Sequence, residues 1–248
     1  MSRLSDGVSS SGVSLRSGRA PVGVMVAVLA WLAAWVVAQG FVGAVLAMSG
    51  EAAADFPASV GTLASALVAS WVAWLAMLYV VSDRFGSRDP LADLAVRFDV
   101  RDIVAVPIGV LTQLVVVPVV YLVLRGVWPG TFDEARVEQR TRDLVEVAGG
   151  ASIVVLVLLV VVGAPVVEEL VYRGLLQRSF AARISDPIAL VVASLWFAVI
   201  HFRLLELPGL FLAGLVFGGC LLVTGRVGTA IIAHAAFNAT ALLAVWPT

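Results

Sequence analysis

Apolar residues run along this chain in long blocks, and each block ends in a short polar or glycine-containing break. Seven blocks stand out: residues 21–48, 57–82, 103–128, 151–180, 187–202, 207–224 and 228–246. At 1.5 Å per helical residue, about 20 residues cross a hydrocarbon core, and most of these blocks reach that length. The predicted fold class is all-α: a polytopic membrane helix bundle of about seven transmembrane helices, with short interfacial helices in the loops. The fifth block is short for a crossing and is expected to sit where protein surrounds it.

Two of the breaks carry a helical pattern of their own. In DPLADLAVRFDVRD, Leu91, Leu94, Ala95 and Phe98 follow i, i+3, i+4, i+7 spacing, which predicts an interfacial helix lying on the membrane. In TFDEARVEQRTRDLVEV, Thr131 and Glu134 have capping-box spacing, which predicts a second loop helix. The arginines favour an orientation. Arg3, Arg16 and Arg19 precede the first block, and Arg84, Arg88, Arg97 and Arg101 follow the second. The break after the first block has only Glu51 and Asp55. A cytoplasmic N-terminus follows, although Arg136, Arg140 and Arg142 run against the rule.

Composition agrees with this picture. Of 248 residues, 61% are hydrophobic and 13% charged, far from the balance of a soluble domain. All sixteen basic residues are Arg, and the net charge of −1 speaks against a nucleic-acid partner. One cysteine, Cys220, excludes an internal disulfide and a cysteine-based metal cluster. The chain divides into a disordered N-terminal tail (1–20), membrane helices and loops (21–149) and a membrane core (150–248).

That core holds the chemistry. Glu168, Glu169 and Arg173 fall inside the fourth block. The only two histidines, His201 and His234, lie in the fifth and seventh, and Asn238 follows His234 by four residues. Ionisable groups are costly in hydrocarbon, so an intramembrane cluster is a functional-site signal by default. Counting rise per residue from a common membrane surface puts Glu168 about 16 Å deep, His201 about 21 Å, His234 about 11 Å and Asn238 about 17 Å. The estimate requires the fourth helix to run about 30 residues, kinked at Pro165. Glu168 and Glu169 are about 100° apart around their helix, so they point different ways. Carboxylate, imidazole, carboxamide and guanidinium together suit hydrolysis by an activated water. The glycines of the sixth block, Gly209, Gly214, Gly218 and Gly219, allow close helix packing or a gap for substrate, packing being favoured.

These residues form three motifs: EELVYR matches EExxxR, FAVIH matches FxxxH and HAAFN matches HxxxN. In this order on three apolar segments they resemble the CAAX protease and bacteriocin-processing (CPBP, Abi) family of intramembrane proteases, over about residues 150–246. The resemblance implies an endopeptidase acting on a membrane-anchored or lipid-associated protein or peptide. It implies Glu168 as the base that activates water, His201 as a partner for that water, and His234 with Asn238 as oxyanion donors. Glu169 and Arg173 would position the catalytic carboxylate. Zinc or another divalent metal would be held by Glu168, His201 and His234. A metal-free glutamate mechanism is preferred, because Asn is a poor zinc ligand and the histidine helices carry no acid to orient a ligand. A proton-coupled transporter or a non-catalytic membrane scaffold are the competing readings, since buried Glu and His also build proton relays.

Overall fold

In a computed structural model of the chain, the described residues are 22–50, 57, 59–132 and 134–246. The tail expected at 1–20 lies outside them. The fold is all-helical, with no strand among the described residues. Long helices are α1 (Val24–Ser49), α2 (Val60–Phe85), α4 (Val100–Val127), α6 (Ser152–Ala181), α8 (Leu207–Thr224) and α9 (Val227–Ala244). All six are long and apolar enough to cross a membrane. Shorter helices are α3 (Pro90–Asp93), α5 (Glu134–Glu146) and α7 (Asp186–Val199).

Boundaries follow local chemistry. Ser59 caps α2 by accepting the Thr62 amide at 3.0 Å. Gly50 ends α1 and Gly225 ends α8, both in left-handed conformations that glycine adopts without strain. The fifth apolar block forms only the 14 helical residues of α7, so the expected seventh crossing is a shorter helix. His201 sits in the turn beyond α7, not on its face, and Phe202 turns the chain with φ 52°.

The loop helices differ from the sequence pattern. Only Pro90–Asp93 is helical in the first. Leu94 and Ala95 are buried in the bundle while Leu91 and Phe98 are exposed, so the four apolar positions do not share one interfacial face. Tertiary packing takes the two middle residues inward. Ala95 also accepts the Val227 amide at 3.0 Å, fastening this loop to the start of α9. The second loop helix is present but starts at Glu134, so Thr131 precedes it by a turn.

Neighbouring α1 and α2 meet α7 through Trp31, which contacts Trp35, Trp74 and Trp196. Helix α2 touches the start of α6, and α1 its later part over Leu170–Ala181. On the other side α4 presses on α9 where Gly109 faces the Ala233 carbonyl; a side chain there would collide with that backbone. Outward-facing Leu, Val, Ile and Met residues leave apolar surface around the bundle, as lipid requires.

The long α6 runs through Pro165 without ending. Its turn at Leu158–Gly163 is widened to a π-helical register, and a second widened stretch covers Leu170–Gln177. A proline ring clashes with the carbonyl four residues back, and widening the preceding turn relieves that clash. The sequence expectation of a 30-residue helix is met, with the irregularity in the turn before the proline.

Candidate active site

Residues on adjacent positions of α6 enter different surroundings. Glu168 lines a cavity of about 180 Å³ together with His201, Tyr172, Ile200, Val167 and Val171. Leu67, Ser70, Trp71 and Trp74 of α2 complete its wall. Gly163 makes that wall possible, since a Cβ there would run into the Trp71 ring. Glu168 keeps 30% of its side chain exposed. His201 donates Nδ1–H to the Phe197 carbonyl at 2.7 Å, because a carbonyl only accepts. Nε2 is then left as the ring atom able to accept a proton or hold a water.

Glu169 is fully buried. Its Oε1 accepts from His234 Nδ1 at 2.8 Å and from Arg173 Nη1 at 3.0 Å. Arg173 Nη2 donates to the Gly214 carbonyl at 3.0 Å, and one turn on, Gln177 donates to the Gly218 carbonyl at 3.1 Å. Phe197 and Phe217 sandwich the guanidinium, with centroids 4.7 and 5.6 Å away. Phe217 also stacks on His234 at 4.5 Å. Each polar group is costly to bury alone, and each side chain here has an opposite charge, a glycine carbonyl or a ring face against it, although Glu169 Oε2 and Gln177 Oε1 find no hydrogen-bond partner. Gly214 and Gly218 pack against Ser194 and against Leu190 and Gln177, so these two glycines serve close packing and backbone recognition.

His234 bridges the two faces. With Nδ1–H on Glu169, its Nε2 lies 3.9 Å from Glu168 Oε2. Glu169 and Arg173 therefore hold the imidazole of His234, where the motif resemblance has them positioning Glu168. Asn238 goes elsewhere: its Nδ2 donates to the Val160 carbonyl at 2.8 Å. It lines a separate cavity of about 220 Å³, with Gln113, Tyr121, Thr141 and Glu206. The structure does not bring Asn238 to the cavity that holds Glu168 and His201.

Among the described residues no group of three or more His, Cys, Asp or Glu side chains is arranged to hold a metal ion. Glu168, His201 and His234 as placed do not fit a three-ligand site. His234 is oriented by an acid from another helix: Glu169, reaching across from α6.

Sequence reasoning passed over Gln177, although it continues the four-residue spacing that runs from Glu169 to Arg173. It also passed over Asp102. That buried carboxylate accepts from Arg226 Nη2 at 2.5 Å, Thr229 Oγ1 at 2.6 Å and the Asp99 amide at 2.7 Å, and so ties the α8–α9 turn to the start of α4. Arg226, between the two helices, has its pKa raised above the ordinary value by that hydrogen bond. Trp71 and Trp74 had no signal beyond generic apolarity.

The site sets a partly exposed carboxylate near two imidazoles in an all-helical fold with six helices long and apolar enough to cross a membrane. Residues 150–240 match a family model described as Rce1-like, type II CAAX prenyl endopeptidase. The matched stretch contains Glu168, Glu169, Arg173, His201, His234 and Asn238, and it bears out the family resemblance of the three motifs. It supports an intramembrane peptidase in general, and with the six apolar helices an integral membrane protein. No curated protein and no solved structure matches the chain.

Proposed function

We propose that this protein is an intramembrane endopeptidase that hydrolyses a peptide bond of a membrane-associated substrate with a water activated by Glu168. The observation that carries the reading is the cavity shared by Glu168 and His201, with His234 Nε2 3.9 Å from the Glu168 carboxylate.

In this reading, a water enters the cavity between Glu168 and His201 Nε2. Glu168 takes one water proton as the oxygen attacks the substrate carbonyl carbon. The oxyanion of the tetrahedral intermediate is stabilised by His234 in its protonated form, whose Nε2 lies 3.9 Å from the Glu168 carboxylate while Glu169 offsets the positive charge. Collapse breaks the C–N bond, and Glu168 returns the proton to the leaving amine. Once a substrate fills the opening of the aromatic-walled cavity, water is displaced and each of these interactions is strengthened. Its opening between α2 and the α6–α7 wall suits a substrate segment held at the bilayer. A prenylated C-terminus is the substrate class that the family description carries. The loop arginines favour a cytoplasmic N-terminus.

The test uses protein purified in lipid nanodiscs and offers a peptide library together with farnesylated C-terminal peptides. Wild type is expected to cleave, and Glu168→Ala and His201→Ala to lose cleavage while keeping their melting temperatures. No cleavage by wild type, with pH-driven uptake into liposomes instead, would give the transporter reading its place. Activity lost on chelation and restored by added zinc would overturn the metal-free step.

A further inference from the structure

We infer that Asn238 is a positioning residue: it closes a gap in the backbone hydrogen bonding of α6 that Pro165 creates, and thereby holds Glu168 at its cavity. The inference rests on the peptidase reading for its consequence in catalysis, while the clasp itself is a matter of backbone accounting.

In a regular helix the carbonyl of residue i accepts from the amide of residue i+4. At the widened turn the Ala164 amide instead donates to the Leu159 carbonyl, five residues back. Val160 thereby loses its α-helical donor. In the widened register its donor would be the amide of residue 165, which is proline and has none. Val160 therefore has no backbone donor in either register. Asn238 Nδ2 stands 2.8 Å from that carbonyl and supplies the missing hydrogen bond. A backbone acceptor in apolar surroundings demands such a partner.

The second grip lies one turn earlier on α9. His234 holds Glu169, while Asn238 holds Val160, so α9 fastens α6 on both sides of Pro165. Glu168 lies three residues beyond that proline, between the two grips. Its direction toward the cavity depends on how the widened turn sets the rotation of the helix. Asn238 lines the other cavity with Gln113 and Thr141, so it acts on the reaction through Glu168 and does not touch the reacting carbonyl.

A double-mutant cycle separates this role from direct oxyanion stabilisation. Pro165→Ala restores an amide five residues beyond Val160, where the widened turn needs a donor. Asn238→Ala is expected to lower kcat about tenfold with KM nearly unchanged, the mark of a misaimed general base. Adding Pro165→Ala should bring kcat back to within about threefold of Pro165→Ala alone, because the two changes concern one carbonyl. A direct oxyanion donor would instead cost about 10²–10³-fold in kcat, and the proline change could not repair it. Losses that simply multiply in the double variant overturn the proposal. The same cycle read by melting temperature needs no substrate. If wild type cleaves nothing, rescue of the melting temperature still supports the clasp, and additive losses still refute it.

Discussion

Glu168 and Glu169 share a peptide bond, yet the two faces of α6 they occupy are built on opposite plans. The Glu168 face is open, walled by Trp71, Trp74 and Tyr172, and keeps part of its carboxylate accessible. The Glu169 face is closed, with His234, Arg173 and Gln177 buried among Phe197, Phe217 and the glycine carbonyls of α8. One face leaves a carboxylate available to react. The other commits its carboxylate to holding an imidazole and a guanidinium. The difference teaches that a membrane protein can spend the same residue type on chemistry and on architecture one position apart, because 100° of helix rotation separates two environments.

Four substitutions sharpen or break this contrast. The largest effect is expected at Glu168→Gln, where removal of the base should lower kcat by about 10⁴-fold, near 5 kcal/mol of barrier, with little change in melting temperature. A folded variant retaining wild-type turnover would end the division of labour. Glu169→Ala should do the reverse and act first on stability. It leaves Arg173 charged and unpaired in the core, at a cost of about 4 kcal/mol, visible as a large fall in melting temperature in nanodiscs. Unchanged thermal stability would mean that the buried face does not depend on the pair. Gly163→Ala places a methyl group against the Trp71 ring and should cost about 2 kcal/mol through overpacking. Its distinguishing sign is a raised KM as the cavity wall shifts, measured by peptide cleavage. Gly218→Ala is the mildest. The added methyl meets the ends of the Leu190 and Gln177 side chains, so about 1 kcal/mol is expected with KM unaltered. A KM change there would show that the closed face also reaches the substrate.

Much of this arrangement was readable from the chain. The apolar blocks, the 30-residue α6 passing through Pro165, and the opposed directions of the two glutamates all follow from length and periodicity. Other parts were not. The fifth block had the hydrophobicity of a crossing, but its helix stops at Val199 and leaves His201 on a turn, a termination that no local pattern announced. The interfacial pattern at 91–98 was a true periodicity defeated by packing, since Leu94 and Ala95 found partners in the bundle. Motif logic grouped Asn238 with His234 because four residues put them on one face of α9. That face meets α6 at two separate levels, one at Glu169 and one at Val160.

By itself the sequence determined the class of solvent, the helical repertoire and the residue types available for hydrolysis. Hydropathy and spacing are properties of single segments, and each segment carries its own. Which carboxylate reacts and which one braces was decided only when helices from distant parts of the chain met. Trp71 of α2 had to reach Gly163, and Gly214 and Gly218 of α8 had to offer bare carbonyls to Arg173 and Gln177. These are contacts between surfaces, and a surface exists only once the helices have chosen their neighbours.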